Sequence, residues 1–461
     1  MTPAKLGRFT YKLVPEQSRC RMSSHRGIRR RIAVVSTLLT LFIIYHFTFG
    51  SVPYQSSSSS SSYANNARTS SNKKRPQCPP LPGIEDVLVV MKTGVTEALD
   101  KVPVHFKTTL RCIPNYVIYS DFEEKIDGVQ LHDAFRNIDP VVKENVDDFQ
   151  IYNRLSKRGR EGLQTQDFAD EANSAIGKPN NPGWKLDKWK FLPMVKEAYQ
   201  YKPDAKWFVF MEADTYYSWP TLLSWLSHFD PAEPHYIGTE TQIADVIFAH
   251  GGSGFVLSNP AMKLAVEEYT ERADELHEYT DAHWAGDCVL GKVLSNVGVT
   301  LSFSWPILQN SNIGELDEFT TAFYRRPWCF PAVALHHLSP DDIRFLYDFE
   351  QRRLAKSSRM PLLHSDVFKE LIFPELTNVR NGWDNLSDKE QPSLSTFQEC
   401  QSYCEDAANC VQFVMRDGTC YTGETPRLGS NNSDARSGWI INKIENMVDQ
   451  APQCVRPDFG L

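Results

Sequence analysis

Two acidic residues at the end of a hydrophobic run are the first candidates for chemistry in this sequence. Glu212 and Asp214 follow the run Trp-Phe-Val-Phe-Met at 207–211. Two carboxylates at positions i and i+2 of a turn can point into one cavity, where they can bind a hard divalent cation that is shared with the phosphates of a ligand. The alternative is an acidic turn that only caps the following helix.

Three further candidates follow along the chain. Gly251, Gly252 and Gly254 lie in a glycine-rich turn that leads into a helix, and without side chains their backbone can come close to a ligand. A purely structural turn is the alternative. Asp287 begins an amphipathic helix, where it is either a general base or a helix cap. His336 and His337 end a hydrophobic run, and one of them is either a metal ligand or a structural histidine.

Short apolar runs that alternate with helical stretches must position these residues. The patterns predict strands at 87–91, 116–119 and 207–211 and a helix at 188–201. This alternation is typical of a mostly parallel sheet that helices cover on both faces. Such sheets bind ligands at the carboxyl ends of their strands, where Asp121 and the Glu212–Asp214 pair are expected.

Taken in order, five segments resemble the inverting β1,3-glycosyltransferase family that includes Fringe and the core 1 β1,3-galactosyltransferase. The resemblance runs from about Val87 to Phe349. Its motifs are an aromatic strand that ends in an Asp-x-Asp-like sequence, a stretch that looks like that of core 1 enzymes, a Gly-Gly-Ser-Gly turn, a box similar to Glu-Asp-Val-x-x-Gly, and a histidine near the end of the resemblance. These motifs lie at 207–216, 225–238, 251–258, 286–291 and 332–336.

The resemblance implies an α/β fold of the GT-A nucleotide-sugar-binding type, a UDP-sugar donor and a Mn²⁺ ion. Asp214 takes the position of the metal-binding carboxylate, with Glu212 in place of the family's first Asp. His336 takes the position of a further metal ligand, and Asp287 that of the catalytic base. The sequence departs from the family at Glu212 and at Gly286, which stands where the family has an acidic residue.

A donor site is implied by the same resemblance. The residues expected to line the nucleotide are Lys92, Thr93, Asp121, Glu212 and Ala213. The loop with Gly251, Gly252 and Gly254 is expected to face the donor or the acceptor.

The expected reaction transfers a hexose in β1,3 linkage, with inversion, to a hydroxyl of a glycan or glycoprotein. Galactose is the expected sugar, because the stretch 229–238 looks more like core 1 enzymes than like Fringe. Transfer of N-acetylglucosamine or glucose is one alternative. Another is a catalytically dead, membrane-tethered carbohydrate-binding protein.

After the catalytic domain predicted at 78–377, the segment 378–461 is richer in Ser, Asn, Gly and Cys. It is interpreted as a small disulfide-stapled α+β module, in which four cysteines allow three pairings. The stretches 397–404, 410–413, 418–421 and 437–439 resemble a PAN/apple module. The resemblance implies the pairs Cys400–Cys420 and Cys404–Cys410 and the binding of protein or carbohydrate. The alternative is a structural appendage.

A membrane anchor and a stalk are predicted at the start of the chain. Residues 1–31 form a basic cytosolic tail with nine Lys and Arg and one Glu, and the run 32–49 has no charged residue. The run is long enough to cross a thin bilayer, and the basic side stays in the cytosol. The Ser-rich stretch 50–77 is expected to be a flexible stalk. A cleaved signal peptide is the alternative to the anchor.

This plan predicts a single-pass type II protein of the Golgi membrane with a luminal catalytic domain, and a tethered surface receptor is the alternative. Because the whole chain has a net charge of −8, the part after the basic tail carries −16, which argues against nucleic acid as a partner. Nine of the ten cysteines lie beyond the span, so one of them is free or pairs between chains. The oligomeric state stays open.

Overall fold

An eight-stranded mixed sheet forms the centre of the computed structural model, which describes residues 78–168, 180–356 and 361–460. These residues belong to one compact unit. The strand order of the large sheet is β11-β7-β10-β5-β1-β2-β4-β3. Its strands are β1 Val87–Lys92, β2 Tyr116–Ser120, β3 Glu124–Ile126, β4 Val129–Asp133, β5 Trp207–Glu212, β7 Tyr236–Gly238, β10 Phe255–Ser258 and β11 Leu301–Phe303.

Four neighbouring pairs of this sheet are parallel and three are antiparallel, so the predicted mostly parallel α/β sheet is confirmed. The sheet is buried on both faces. Side chains of β1 alternate between two hydrophobic clusters, with Leu88 and Val90 in one and Val89 and Met91 in the other. A strand with helices or loops on both faces reads as a continuous apolar run, which is why 87–91 was predictable.

Two shorter ladders lie beside the large sheet. Strands β6 Tyr216–Tyr217 and β12 Ala334–Leu335 pair antiparallel, as do β8 Glu240–Ile243 and β9 Val246–Ala249. The helices of this part are α1 Ala98–Lys101, α2 Pro140–Asn145, α3 Gln150–Arg158, α4 Pro182–Asp187, α5 Phe191–Tyr201, α6 Trp219–Leu226, α7 Asn259–Glu271, α8 Ala273–Ala282, α9 Gly286–Asn296, α10 Pro340–Ala355 and α11 His364–Val367.

The sequence pattern missed one central strand. The stretch after the glycine-rich turn was expected to lead directly into a helix, but Phe255–Ser258 forms β10 between β5 and β7. All four residues of β10 are buried, and Phe255 stacks on Phe210 of β5 with 4.6 Å between ring centroids. A four-residue apolar run next to a helix is too short for its period to distinguish strand from helix.

The C-terminal segment builds its own antiparallel sheet, with strand order β13-β17-β15-β16-β14. Its strands are β13 Arg380–Asp384, β14 Lys389–Gln391, β15 Gln412–Arg416, β16 Thr419–Gly423 and β17 Ser430–Trp439, and its helices are α12 Phe397–Asp406 and α13 Ile441–Gln450. Disulfides join Cys400 to Cys420 and Cys404 to Cys410, which are the pairs that the resemblance implies.

A shared core joins this segment to the rest of the described chain. Trp439 and Ile444 belong to the same hydrophobic cluster as Trp328 and Phe368. The disulfide Cys329–Cys454 crosses the same junction, and a further disulfide joins Cys78 to Cys112. The boundary between 377 and 378 stays a prediction.

Cys288 is the free cysteine among the described residues, and it is buried. The odd cysteine count is therefore explained by one thiol that the fold encloses. None of the helices in the described ranges is long and apolar enough to cross a bilayer. The predicted tail, anchor and stalk at 1–31, 32–49 and 50–77 lie outside the described residues.

Removal of the Cys329–Cys454 disulfide is expected to lower stability more than removal of Cys404–Cys410. The first pair spans 125 residues and the second only 6, and a longer closed loop restricts the unfolded chain more strongly. The loop-entropy relation gives about 5 kcal/mol for the long loop and about 2 kcal/mol for the short one. The two double Cys→Ser variants should differ accordingly in urea midpoint, and an equal or reversed loss would contradict this account.

Candidate active site

Three parallel strands bring polar side chains together at one edge of the large sheet. Lys92 ends β1, and in the sheet register it lies beside Tyr119 of β2 on one side and Glu212 of β5 on the other. Asp121 follows directly after β2. The carboxyl ends of β1, β2 and β5 therefore meet where the sequence pattern predicts a ligand site.

The turn after β5 is fixed by two side chains that sequence analysis did not single out. Thr215 accepts a hydrogen bond from the Glu212 N–H at 3.3 Å and donates its hydroxyl to the Gly252 carbonyl at 2.8 Å. His105, fully buried, donates from Nε2 to the Ala213 carbonyl at 2.8 Å, and burial lowers the pKa of His105 to about 4. A neutral imidazole thus holds the turn that carries both acidic residues.

A short ladder explains how the late histidine reaches this turn. Leu335 of β12 pairs with Tyr216 of β6, and the two strands run antiparallel. The residue after Leu335 therefore lies opposite the residues that precede Tyr216. This geometry places His336 beside Asp214, although the two are far apart in sequence.

The imidazole of His336 is oriented from both sides. Its Nε2 lies 3.1 Å from Asp214 Oδ1 and 3.8 Å from Glu212 Oε2. Its Nδ1 lies 2.9 Å from the side-chain oxygen of Asn310. An Nδ1–H donated to that oxygen orients the ring so that Nε2 faces the carboxylates, which is how a metal-ligating histidine is held. Nε2 is buried and close to Asp214 but lacks hydrogen-bond geometry toward it, so no described protein group forms a hydrogen bond with this nitrogen.

Opposite charges compensate each other strongly around this turn. Burial alone lowers the pKa of His336, but Asp214 and Glu212 outweigh it and raise that pKa to about 9. Burial raises the pKa of Asp214, whereas His336 and Lys101 together hold it well below the usual range. Burial likewise raises the pKa of Glu212, but Lys92 holds it well below its usual range. Without a bound cation, the protein's own cations neutralise both carboxylates.

Three side chains could hold a divalent metal ion. Asp214, His336 and His337 offer ligand atoms that all lie within 4.8 Å of one another. One carboxylate with imidazole nitrogens suits a transition metal of intermediate softness better than Mg²⁺ or Ca²⁺. The carboxylate of Asp214 suits Mn²⁺, and His336 can join it through Nε2 once that nitrogen is deprotonated, so the residues present are compatible with Mn²⁺. The sequence offered His337 only as an alternative to His336, whereas the structure places both near Asp214.

Glu212 lies between this cluster and a lysine, with Oε2 toward His336 and Oε1 toward Lys92. Its Oε1 lies 3.0 Å from Lys92 Nζ, and Lys92 also contacts Asp187. On the other side of the turn, Lys101 Nζ lies 2.9 Å from Asp214 Oδ2 and 2.8 Å from Glu97 Oε2. The role of Glu212 as a metal ligand stays a prediction.

Asp287 sits at the first turn of α9, where the backbone holds both of its oxygens. Oδ1 accepts the Cys288 N–H and Oδ2 accepts the Gly251 N–H, each at 2.9 Å. Burial raises the pKa of Asp287, and the nearby His250 and the two amides only partly oppose this effect. A carboxylate with a raised pKa is a stronger base than a free aspartate.

The three glycines of the turn have different surroundings. A Cβ on Gly252 would lie 2.0 Å from His336 Cε1, so only glycine fits beside the imidazole. Gly251 supplies the N–H to Asp287. Gly254 has φ +76°, and a Cβ there would lie 1.9 Å from the Tyr217 hydroxyl, which gives it a role in the turn itself.

A cleft of about 530 Å³ brings most of these residues together. Its size is that of a site for a nucleotide or another drug-sized ligand. Of the predicted site residues, those that line it are Lys92, Asp121, Glu212, Asp214, Gly252, Asp287 and His336. Thr93 and Ala213 are buried behind it: Thr93 bonds to Glu97 through its hydroxyl, and Ala213 meets His105.

A buried lysine beside the cleft was missed by the sequence analysis. Lys190 Nζ lies 2.5 Å from Asp121 Oδ1 and 2.9 Å from Asp187 Oδ1, and it donates to the Thr93 carbonyl at 2.7 Å. Asp121 also accepts the Val95 N–H at 2.9 Å. The lysines and aspartates form one network along the strand ends. The predicted helix start at 188 was the available signal, but it does not show which face its lysines take.

Part of the chain that forms this site is similar to a known protein family. Residues 181–318 match the profile of the Fringe family, described as Fringe-like. This part of the chain is similar to Fringe-like domains. The resemblance to the Fringe and β1,3-glycosyltransferase family is thereby confirmed, while the resemblance to a PAN/apple module is not.

The matched part of the Fringe-like domain contains the acidic turn, the glycine-rich turn and Asp287. His336 lies beyond it, and Lys92 and Asp121 lie before it. The structure brings these three residues into the same cleft as the matched ones. The cleft therefore extends beyond the residues that match the Fringe-like profile.

Replacement of Asn310 by Ala is expected to weaken Mn²⁺ binding about 10- to 100-fold, because the ring of His336 loses the oxygen that orients it. Calorimetric titration of the full chain with Mn²⁺ checks this without any need for activity. Asn310→Asp keeps an oxygen at this position and should retain most of the affinity. An Asn310→Ala protein with unchanged Mn²⁺ affinity would show that the histidine is held in some other way.

Proposed function

We propose that the protein is an inverting, metal-dependent glycosyltransferase that moves a hexose from a UDP-sugar to a hydroxyl of a glycan or glycoprotein in β1,3 linkage. The observation that carries this proposal is the 3.1 Å approach of His336 Nε2 to Asp214 Oδ1 in the cleft that Asp287 also lines. The Fringe-like domain supports the reaction class. The sugar and the linkage rest on the resemblance at 229–238.

Asp214 and His336 are the residues that would hold the cation, and His337 stands near enough to join them. A divalent ion bound there would neutralise charge that develops on the leaving diphosphate. Lys92 and Lys190 line the same cleft and are paired there with Asp121, Asp187 and Glu212. As part of this network, their ammonium groups would orient the negative donor.

Asp287 would accept the proton of the acceptor hydroxyl as that oxygen attacks the anomeric carbon. The hydroxyl oxygen forms the new glycosidic bond, the bond from the anomeric carbon to the diphosphate oxygen breaks, and UDP leaves. The two amides that hold Asp287 fix its orientation, and each of its oxygens keeps a lone pair for the proton. Attack from the face opposite the leaving group inverts the anomeric centre.

Gly286 has a steric explanation that does not touch the base. A Cβ at this position would lie 2.5 Å from the Lys188 carbonyl and 2.4 Å from Phe191 Cδ2, so the chain packs where the family has an acidic side chain. The replacement therefore does not by itself mark a dead site. UDP-sugar hydrolysis in the presence of Mn²⁺ separates the transferase from a carbohydrate-binding protein, and a screen of UDP-galactose, UDP-N-acetylglucosamine and UDP-glucose separates the donors.

We also propose a location in the cell. A type II anchor at 32–49 and a stalk at 50–77 would hold the enzyme in the Golgi membrane with its cleft in the lumen. The four disulfides of the described chain support an oxidising compartment. The segment from 378 onward would act as a PAN/apple-like module that binds protein or carbohydrate.

Asp287→Asn should lower kcat by at least about 100-fold, since an amide cannot take up the acceptor proton. Because Asn keeps the size and one oxygen, UDP affinity in the presence of Mn²⁺ should change by less than about twofold. Initial rates with the preferred donor and calorimetric titration with UDP measure the two effects. Turnover equal to that of the unchanged protein would refute the assignment of Asp287 as the base.

Asp214→Ala should abolish the Mn²⁺-dependent part of UDP binding, because it removes the carboxylate of the proposed metal site. Calorimetric titrations with UDP, with and without Mn²⁺, give this difference directly. Asp341→Ala is a suitable control, since that carboxylate is exposed on α10 outside the cleft. An Asp214→Ala protein that still binds UDP more tightly with Mn²⁺ would count against the site.

A further inference from the structure

Two tryptophans line the same cleft as Asp214 and Asp287 without a part in the chemistry described above. Trp184 belongs to α4, and Trp284 stands just before α9. Their rings stack with 5.9 Å between centroids and 22° between planes. Trp284 keeps 36% of its surface exposed, while most other tryptophans of the described chain are buried.

The segments that carry the two indoles are held together by separate contacts. Lys188 Nζ donates to the Asp281 carbonyl at 3.1 Å and lies 2.9 Å from Asp148 Oδ2. The lack of a side chain at Gly286 lets the start of α9 rest against the Lys188 backbone. The side chain of Asn181 accepts the Trp184 N–H at 2.9 Å and caps α4. The stacked pair is thus a supported surface and not a chance contact of two loops.

An exposed indole face among lysines and carboxylates leaves apolar area in water, which suggests that a ligand covers it. The face of an indole is electron-rich, and the C–H groups on one side of a pyranose ring are apolar and slightly positive. A pyranose can therefore lie flat on Trp284 while its hydroxyls turn toward the polar wall. A peptide hydroxyl offers no such face.

Its position assigns this surface to the acceptor. Trp284 precedes Asp287 by three residues on the entry to α9, and both line the same cleft, so this surface is on the side of the carboxylate that would deprotonate the acceptor. The strand ends with Lys92 and Asp121 are the part of the cleft that suits the donor nucleotide. An acceptor that stacks on Trp284 would lie beside the proposed base.

We propose that Trp184 and Trp284 form an acceptor subsite and that the acceptor hydroxyl belongs to a pyranose. This inference rests on the proposed transferase function and names its second substrate as a glycoside. Trp284 provides the surface that the sugar contacts, and Trp184 supports it from behind.

Saturation-transfer NMR on the full chain, solubilised in mild detergent, tests this with four probes: methyl β-galactoside, methyl α-N-acetylgalactosaminide, methyl β-glucoside and methyl α-mannoside. Ring C–H protons of at least one probe should receive saturation, with or without UDP. Trp284→Ala should lower the affinity for that glycoside about tenfold, whereas Trp284→Phe keeps an aromatic face and should keep most of the affinity. UDP affinity should stay within about twofold in both variants.

Phe345→Ala is the matched control, because Phe345 is exposed to a similar extent on α10 but does not line the cleft. It should change neither glycoside nor UDP binding. Trp184→Ala should lower the affinity for the same glycoside. It provides a second test if the circular dichroism of Trp284→Ala shows that this variant does not fold.

Two results would overturn the inference. The first is a protein that binds UDP but transfers saturation to none of the four glycosides. The second is a Trp284→Ala variant that loses UDP affinity while its glycoside contact persists, since the indole would then stack on the uracil. A failure of the proposed function looks different, because UDP binding with Mn²⁺ would be absent from the unchanged protein.

Discussion

Compensation of half-buried negative charge at one end of β5 is the constraint on which the rest of this structure depends. Glu212 ends a strand whose other residues are buried and Asp214 follows it in the turn, so both carboxylates lose part of their hydration. The positively charged side chains that pair with them come from three different parts of the chain and are Lys92, Lys101 and His336. The same carboxylates thus bind the fold together and prepare a place for an exchangeable cation.

The sequence predicted those parts of the fold whose pattern is local. The strands at 87–92, 116–120 and 207–212 are apolar runs that the burial of both sheet faces requires, and the structure extends each prediction by one residue. By contrast, β10 and the pairing of β6 with β12 depend on partners distant in sequence. Strands of two to four residues have too little periodicity to be distinguished from their surroundings.

The residues of the site also divide into those with a signal in the sequence and those without one. Asp214, Asp287 and His336 were found through motif order, and the structure brings them to one cleft. The residues that orient them carried no such signal: Asn310 and His105 act through single hydrogen bonds that only the fold creates. Asn385 is a further residue whose role only the fold reveals, because its side chain is fully buried and donates to the carbonyls of Phe413 and Gly438.

The bond between Cys329 and Cys454 braces the loop that leads into β12, and β12 delivers His336. The candidate metal site thereby depends on a cysteine that lies outside the Fringe-like match at 181–318. A reduced chain lacks this brace even when every matched residue is correct. Thiol chemistry at a distance from the cleft thus gains influence over the position of a candidate metal ligand.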